Sequence, residues 1–145
     1  MTETQVPSEL RRLVVERARN RCEYCRYLGL YSPQSLSIDH IVPRRAGGAT
    51  LEHNLALSCQ GCNGHKAART SATDPVSGST VPLFNPRQER WRDHFTWSED
   101  FLEIAGLTPI GRATVETLQL NRDGLVNTRA VLYAVGRHPE LEDES

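Results

Sequence analysis

The sequence predicts an α+β protein in which two short strands and a helix are held by paired cysteines, with one helix before them and further helices after. Three observations carry this reading. All four cysteines lie in two matching pairs, Cys22-Glu23-Tyr24-Cys25 and Cys59-Gln60-Gly61-Cys62, with 33 residues between them. Two alternating, apolar stretches, 36–42 and 54–58, lie between the pairs and are joined by a segment carrying Arg44, Arg45, Gly47 and Gly48; this is the pattern of a hairpin with a long loop. Helical spacing governs Leu10, Leu13, Val14, Arg17 and Ala18 near the start, while Thr108-Pro109 places a capping residue before a proline at the first helical position.

Taken in order, residues 1–7 form an unstructured lead-in, and 8–20 an amphipathic helix with Ser8 as N-cap and Arg11, Arg12 and Arg19 exposed. The strand at 36–42 ends at Pro43, the returning strand covers 54–58, and a helix follows from 63 to 72. Residues 8–70 thus make a core, and 71–139 an extension packed on it. Within the extension, 71–90 is turn-rich; Trp91, Phe95 and Trp97 read as a strand that pairs with 101–105. Helices follow from Thr108 to about Asn121 and from Gly124 or Leu125 to Val135, stopped by Gly136 and Pro139, and 140–145 is an acidic tail.

The composition narrows the function classes. With 145 residues the chain is within the usual size of one domain. No secretory signal is recognisable and no apolar run reaches membrane-spanning length, so a soluble, cytoplasmic protein without membrane contact is expected. In that compartment thiols stay reduced, and paired cysteines indicate metal chemistry over structural disulfides. The net charge of −1 divides into +4 over residues 1–70 and −5 over 71–145. A basic motif half suits a nucleic-acid partner, although a solvated arginine-rich helix explains it almost as well.

Two Cys-x-x-Cys knuckles suit a tetrahedral Zn²⁺ site formed by Cys22, Cys25, Cys59 and Cys62. Four thiolates close the coordination shell, so this ion would be structural. Unligated core cysteines are the alternative. The remaining reactive residues are Asp39-His40 on the first strand and Asn63 and Lys66 after the second knuckle. Neighbouring strand residues face opposite ways, so Asp39 and His40 have separate tasks. One arrangement makes Asp39 a ligand to Mg²⁺ or Mn²⁺ and His40 a general base acting on water. Asn63 can add a second oxygen ligand. Lys66, the only lysine of the chain, lies three residues on, on the same helical face, where it could meet a phosphate oxygen. Arg44, Arg45 and Arg69 are further candidates for phosphate contact. His53 and His65 stand beside these residues as secondary candidates, whereas His94 and His138 read as surface residues.

The set Asp39-His40-Ile41-Val42-Pro43, Gly47-Gly48, Asn54-Leu55, Cys59-x-x-Cys62-Asn63 and Lys66 resembles the HNH endonucleases of the four-cysteine type, which have the ββα-metal (His-Me finger) fold. The resemblance covers Cys22 to about Arg69, a third of the chain. It implies that His40 is the general base, that Asn54 braces the loop and orients that base, and that Asn63 joins Asp39 as a ligand of the catalytic cation. It also implies metal-assisted hydrolysis of phosphodiester bonds in DNA, in some members RNA. One departure is Asn63, a position where other members carry histidine. Less specifically, Leu83-Phe84-Asn85-Pro86-Arg87 and 106–121 are similar to C-terminal parts of stand-alone bacterial HNH proteins. A nucleic-acid-binding module stabilised by zinc and without cleavage activity is the competing function.

Overall fold

The computed structural model describes residues 6–140; residues 1–5 and 141–145, which hold most of the expected lead-in and acidic tail, lie outside the described residues. The chain divides into two compact units. One runs up to Thr70 and regains Asn85–Arg87, and the other comprises Ser71–Phe84 and the chain from Gln88 onward. Across the described residues, five α-helices and three two-stranded antiparallel sheets give an α+β arrangement. None of these helices is long and apolar enough to cross a membrane.

The first unit opens with α1, Ser8–Arg17, which is shorter than the expected 8–20. Pro7 occupies the N-cap position without a side-chain cap, so Ser8 is the first helical residue and not its cap. The helix ends because Arg19 and Asn20 both adopt left-handed backbone angles, φ 55°. This turn carries the chain into the first cysteine pair. Arg17 anchors the last helical turn by donating to the carbonyls of Glu52 and Leu55, 2.9 and 2.6 Å away.

Strand β1, Ser37–His40, pairs antiparallel with β2, Leu55–Ser58, in the register Ser37↔Ser58 to His40↔Leu55. All four β2 residues are buried, with α1 packed against β2 and helix α2, Gln60–Lys66, against β1. Burying Leu55 and Leu57 contributes about 1.5–3 kcal/mol each. Both strands are shorter than expected. Beyond His40↔Leu55 the chain turns: Asn54 is the last residue of a 3₁₀ turn, Glu52–Asn54, and its side-chain carbonyl accepts from Val42 N–H.

Helix α2 departs further from expectation, since it begins at Gln60 and stops at Lys66 where 63–72 had been expected. Its N-cap is Cys59, whose sulfur accepts from Cys62 N–H at 3.4 Å. Sequence rules for helix starts look for Ser, Thr, Asp or Asn, and a thiolate at the end of a knuckle fills the same role. The helix closes at Ala67, whose φ of 50° breaks it.

In the second unit, β3 (Ser71–Thr73) and β4 (Thr80–Pro82) form a hairpin, so residues expected at the end of a helix are in a strand. Trp91 lies in a short helix, α3 (Trp91–His94), and not in a strand. Strands β5 (Phe95–Trp97) and β6 (Ile104–Gly106) pair much as the alternation suggested. Helix α4, Pro109–Leu118, is capped by Thr108, whose hydroxyl accepts from Gly111 N–H at 3.0 Å. It crosses β6 so closely that a Cβ on Gly106 would lie 2.4 Å from Arg112 N. Helix α5, Asp123–Ala134, buries Arg129, which donates to the carbonyls of Leu102 and Leu120 and lies over the Trp97 ring at 5.2 Å.

His94 and His138, expected at the surface, are half-buried and each is held by partners. His94 Nδ1 is 2.7 Å from Thr108 Oγ1 and its ring meets Phe84, while His138 Nε2 is 2.7 Å from the Phe101 carbonyl with its ring edge-on to Trp97. Burial lowers the His138 pKa below the usual imidazole value.

Candidate functional site

Cys22, Cys25, Cys59 and Cys62 are all buried, and their sulfurs lie within 4.8 Å of one another. Each knuckle folds back on its first sulfur: Cys25 N–H donates to Cys22 Sγ and Cys62 N–H to Cys59 Sγ, both at 3.4 Å. Positive φ at Arg26 closes the first knuckle, and Cys22 N–H donates to the Tyr27 carbonyl. A tetrahedron with arms of ~2.3 Å has edges of ~3.8 Å, and the Cys25 and Cys59 sulfurs are 3.7 Å apart. The donor set therefore fits a tetrahedral thiophilic ion. Without an ion the sulfurs share protons: hydrogen bonds from Cys22, Cys25 and Cys62 pull Cys59 far below the usual thiol value, burial pushes Cys25 up, and the contact with Cys22 pushes Cys62 up. Four thiolates this close together would need a cation between them.

Strand alternation separates Asp39 from His40. Asp39 points inward and is only 4% exposed. Tyr24, fully buried between the first two cysteines, donates its hydroxyl proton to Asp39 Oδ2 at 2.7 Å. The Lys66 ammonium lies 3.2 Å from the same oxygen and 3.4 Å from Oδ1, and it also donates to the Ile41 carbonyl at 3.1 Å. Desolvation raises the Asp39 pKa, against the downward pull of Lys66 and Tyr24. Burial and the neighbouring carboxylate raise Tyr24 well above its usual value, so it stays a donor.

Lys66 is consequently not where a phosphate contact needs it. It is 1% exposed, and its charge is committed to Asp39 and to backbone carbonyls. The physical reason is pairing: a carboxylate buried at this depth must be neutralised, and the chain's one lysine does so.

His40 is half-buried at the end of β1 with Nε2 2.9 Å from Thr50 Oγ1. The loop that carries Thr50 is shaped by Asn54. Its amide donates to the Val42 and Ala49 carbonyls at 3.0 and 2.9 Å, and its carbonyl accepts from Val42 N–H at 2.9 Å. Gly48 is required in this loop, since a Cβ there would sit 1.7 Å from the Val42 carbonyl oxygen. Asn63 is the fourth residue of α2, so it is not the helix cap, and Cys59 fills that place. It is half-buried, one turn before Lys66, and its side chain makes no hydrogen bond among the described residues. Asp39 Oδ1, with a single long contact, and the unspent Asn63 carbonyl are hard oxygen donors of the kind Mg²⁺ or Mn²⁺ takes alongside water. Arg44, Arg45 and Arg69 are exposed, as are His53 and His65.

Residues 22–69 match the family model described as HNH endonuclease. The matched region contains both knuckles, the β1–β2 hairpin and α2. A wider similarity is to the Septu protein PtuB of Bacillus thuringiensis, 26% identical over 122 residues, which cover 82% of this chain and 44% of that protein. The chain thus spans less than half the length of the curated relative it matches. No solved structure matches.

Tyr24, Thr50 and Glu23 within 22–69, and Arg87 beyond it, also shape this architecture. Nothing in the local sequence marks Tyr24 or Thr50 for these roles. Glu23 accepts from Leu57 N–H at 2.9 Å and pairs with Arg87, which also donates to the Leu55 carbonyl. The signal available for Arg87 was its place in the 83–87 segment. Its partner, 64 residues earlier in the chain, carried none.

Proposed function

We infer that the chain is a metal-dependent endonuclease that hydrolyses phosphodiester bonds in DNA, with His40 as general base. The observation that carries this reading is the division of labour at the end of β1. His40 is half-exposed and fixed at one ring nitrogen by Thr50, while the adjacent Asp39 is held inside the domain with one oxygen little used. The imidazole takes a proton from the attacking water. Asn54 keeps the loop, and through Thr50 the imidazole, in place. A divalent cation held by Asp39 and Asn63, Mg²⁺ or Mn²⁺, would supply charge stabilisation for the leaving 3′ oxygen. Lys66 serves by neutralising and orienting Asp39. Exposed Arg44, Arg45 and Arg69 would hold the backbone through phosphates, which gives weak sequence preference. Zn²⁺ at the four cysteines would be structural.

The test is plasmid nicking with Mg²⁺ or Mn²⁺. His40→Ala is expected to lower the rate by about a hundred- to ten-thousandfold, the usual contribution of general acid–base catalysis. Undiminished cutting by the variant would remove His40 from this role. The burial of Asp39 against Lys66 is the one observation on the side of a binding module that does not cut. Tight DNA binding without metal-dependent cleavage would favour that reading.

A further inference from the structure

The two groups that hold Asp39 adjoin the cysteine cluster, one inside the first knuckle and the other on the helix that follows from the second. Tyr24 sits between Cys22 and Cys25, and its ring is fully enclosed, so the hydroxyl has little freedom to leave Asp39 Oδ2 at 2.7 Å. Lys66 lies one helical turn beyond Cys62 on α2, a helix whose Cys62 N–H is capped by Cys59 sulfur. The knuckle that carries Tyr24 is itself pinned to β2. Glu23 N–H donates to the Leu57 carbonyl at 2.8 Å, and the Glu23 carboxylate accepts from Leu57 N–H. Leu57 stands beside Ala56, the cross-strand partner of Asp39. Closing the cluster therefore fixes the distance between the Tyr24 hydroxyl and the strand that bears Asp39.

This bears on which oxygen is available. Tyr24 and Lys66 both act on Oδ2, whereas Oδ1 has only the 3.4 Å contact with Lys66. A carboxylate gripped at one oxygen presents the other in a defined direction. Partners of this kind, one step removed from a metal, orient the ligand and contribute to affinity. A carboxylate free to rotate, with the ammonium able to move between its two oxygens, would lose that preference.

We propose that Tyr24 is a positioning residue through which the four-cysteine cluster orients Asp39, so that divalent-cation binding at Asp39 and Asn63 depends on a hydroxyl carried by the first knuckle. The proposal rests on the reading of Asp39 as a ligand of that cation. Tyr24→Phe is the matching variant, because it keeps the buried ring and removes only the donor.

The measurement is Mn²⁺ binding to the zinc-loaded protein without DNA, followed by the paramagnetic signal of free Mn²⁺, alongside zinc content and the thermal midpoint. Tyr24→Phe is expected to keep one zinc per chain and a melting transition near that of the wild type, and to bind Mn²⁺ about ten- to a hundredfold more weakly. Nicking by the variant should then recover at high Mn²⁺, as an affinity defect does and a loss of the base does not. Asp39→Asn serves as the reference for a lost ligand. Equal Mn²⁺ affinity in wild type and Tyr24→Phe overturns the proposal and leaves the nuclease reading standing. A wild type that binds no Mn²⁺ overturns both. A Tyr24→Phe protein that loses zinc or its melting transition makes the hydroxyl a structural support of the knuckle, and this too overturns it.

Discussion

Lys66 shows how one side chain's surroundings decide its chemistry. As the only lysine, three residues after Asn63, it looks like a group offered to an anion outside the protein. Folding places it 1% exposed beside Asp39, with carbonyls of Ile41 and His40 taking up its remaining protons. Breaking a buried pair leaves an uncompensated charge, and Lys66→Met is expected to cost about 3–5 kcal/mol in urea-induced unfolding. A loss below about 1 kcal/mol, the scale of exposed pairs, would contradict so close an interaction. Asn54 illustrates the opposite case. Its side chain makes three hydrogen bonds to the loop at Val42 and Ala49. Its legibility follows from locality, since all its partners lie within 12 residues.

At the scale of elements, the sequence located most strands and helices and misplaced several of their ends. Strand β2 and the start of α4 were legible because alternation and a Thr-Pro cap are local signals. The limits of α2 were not, because its cap is a cysteine shaped by the cluster and its end is a backbone reversal at Ala67. The β3–β4 hairpin has a comparable nonlocal anchor. Asp74 accepts from Val76 N–H and from the Ser77 hydroxyl, and the Arg112 guanidinium on α4 grips both its oxygens at 2.9 Å. Hydrogen bonds from Arg112, then Ser77, hold Asp74 far below the usual carboxylate value. A carboxylate depressed in the folded state contributes stability that is present above its unfolded pKa of about 3.9 and is lost as pH falls through the folded value. Denaturant midpoints should thus fall on acidification below about pH 4, and Asp74→Asn should make that fall shallower. An equally steep acid limb in the variant would show that Asp74 is not a source of the slope.

For the molecule as a whole, the cysteine cluster is the natural point of failure in the first unit. It joins residues 22–25 to 59–62, and the intervening hairpin and α2 carry Asp39, His40, Asn54, Asn63 and Lys66. Bound metal should analyse as one zinc per chain, and a strong chelator should remove it with loss of the cooperative melting of this unit, since structural zinc supplies folding free energy outright. Retention of the full melting transition by the zinc-free protein would contradict this.

The sequence by itself determined the α+β class, the pairing of four cysteines into one candidate metal site and the match of residues 22–69 to a nuclease-type motif. These are properties of spacing and residue type, which short-range backbone geometry converts directly into knuckles, strands and turns. Only the tertiary structure decided that Lys66 and Tyr24 meet at Asp39, that Arg87 returns to Glu23, and that the chain divides where it does. These pairs stand 15 to 64 residues apart. Their meeting is set by burial: polar groups enclosed by the packed strands must find partners, and which partners they find depends on the completed core.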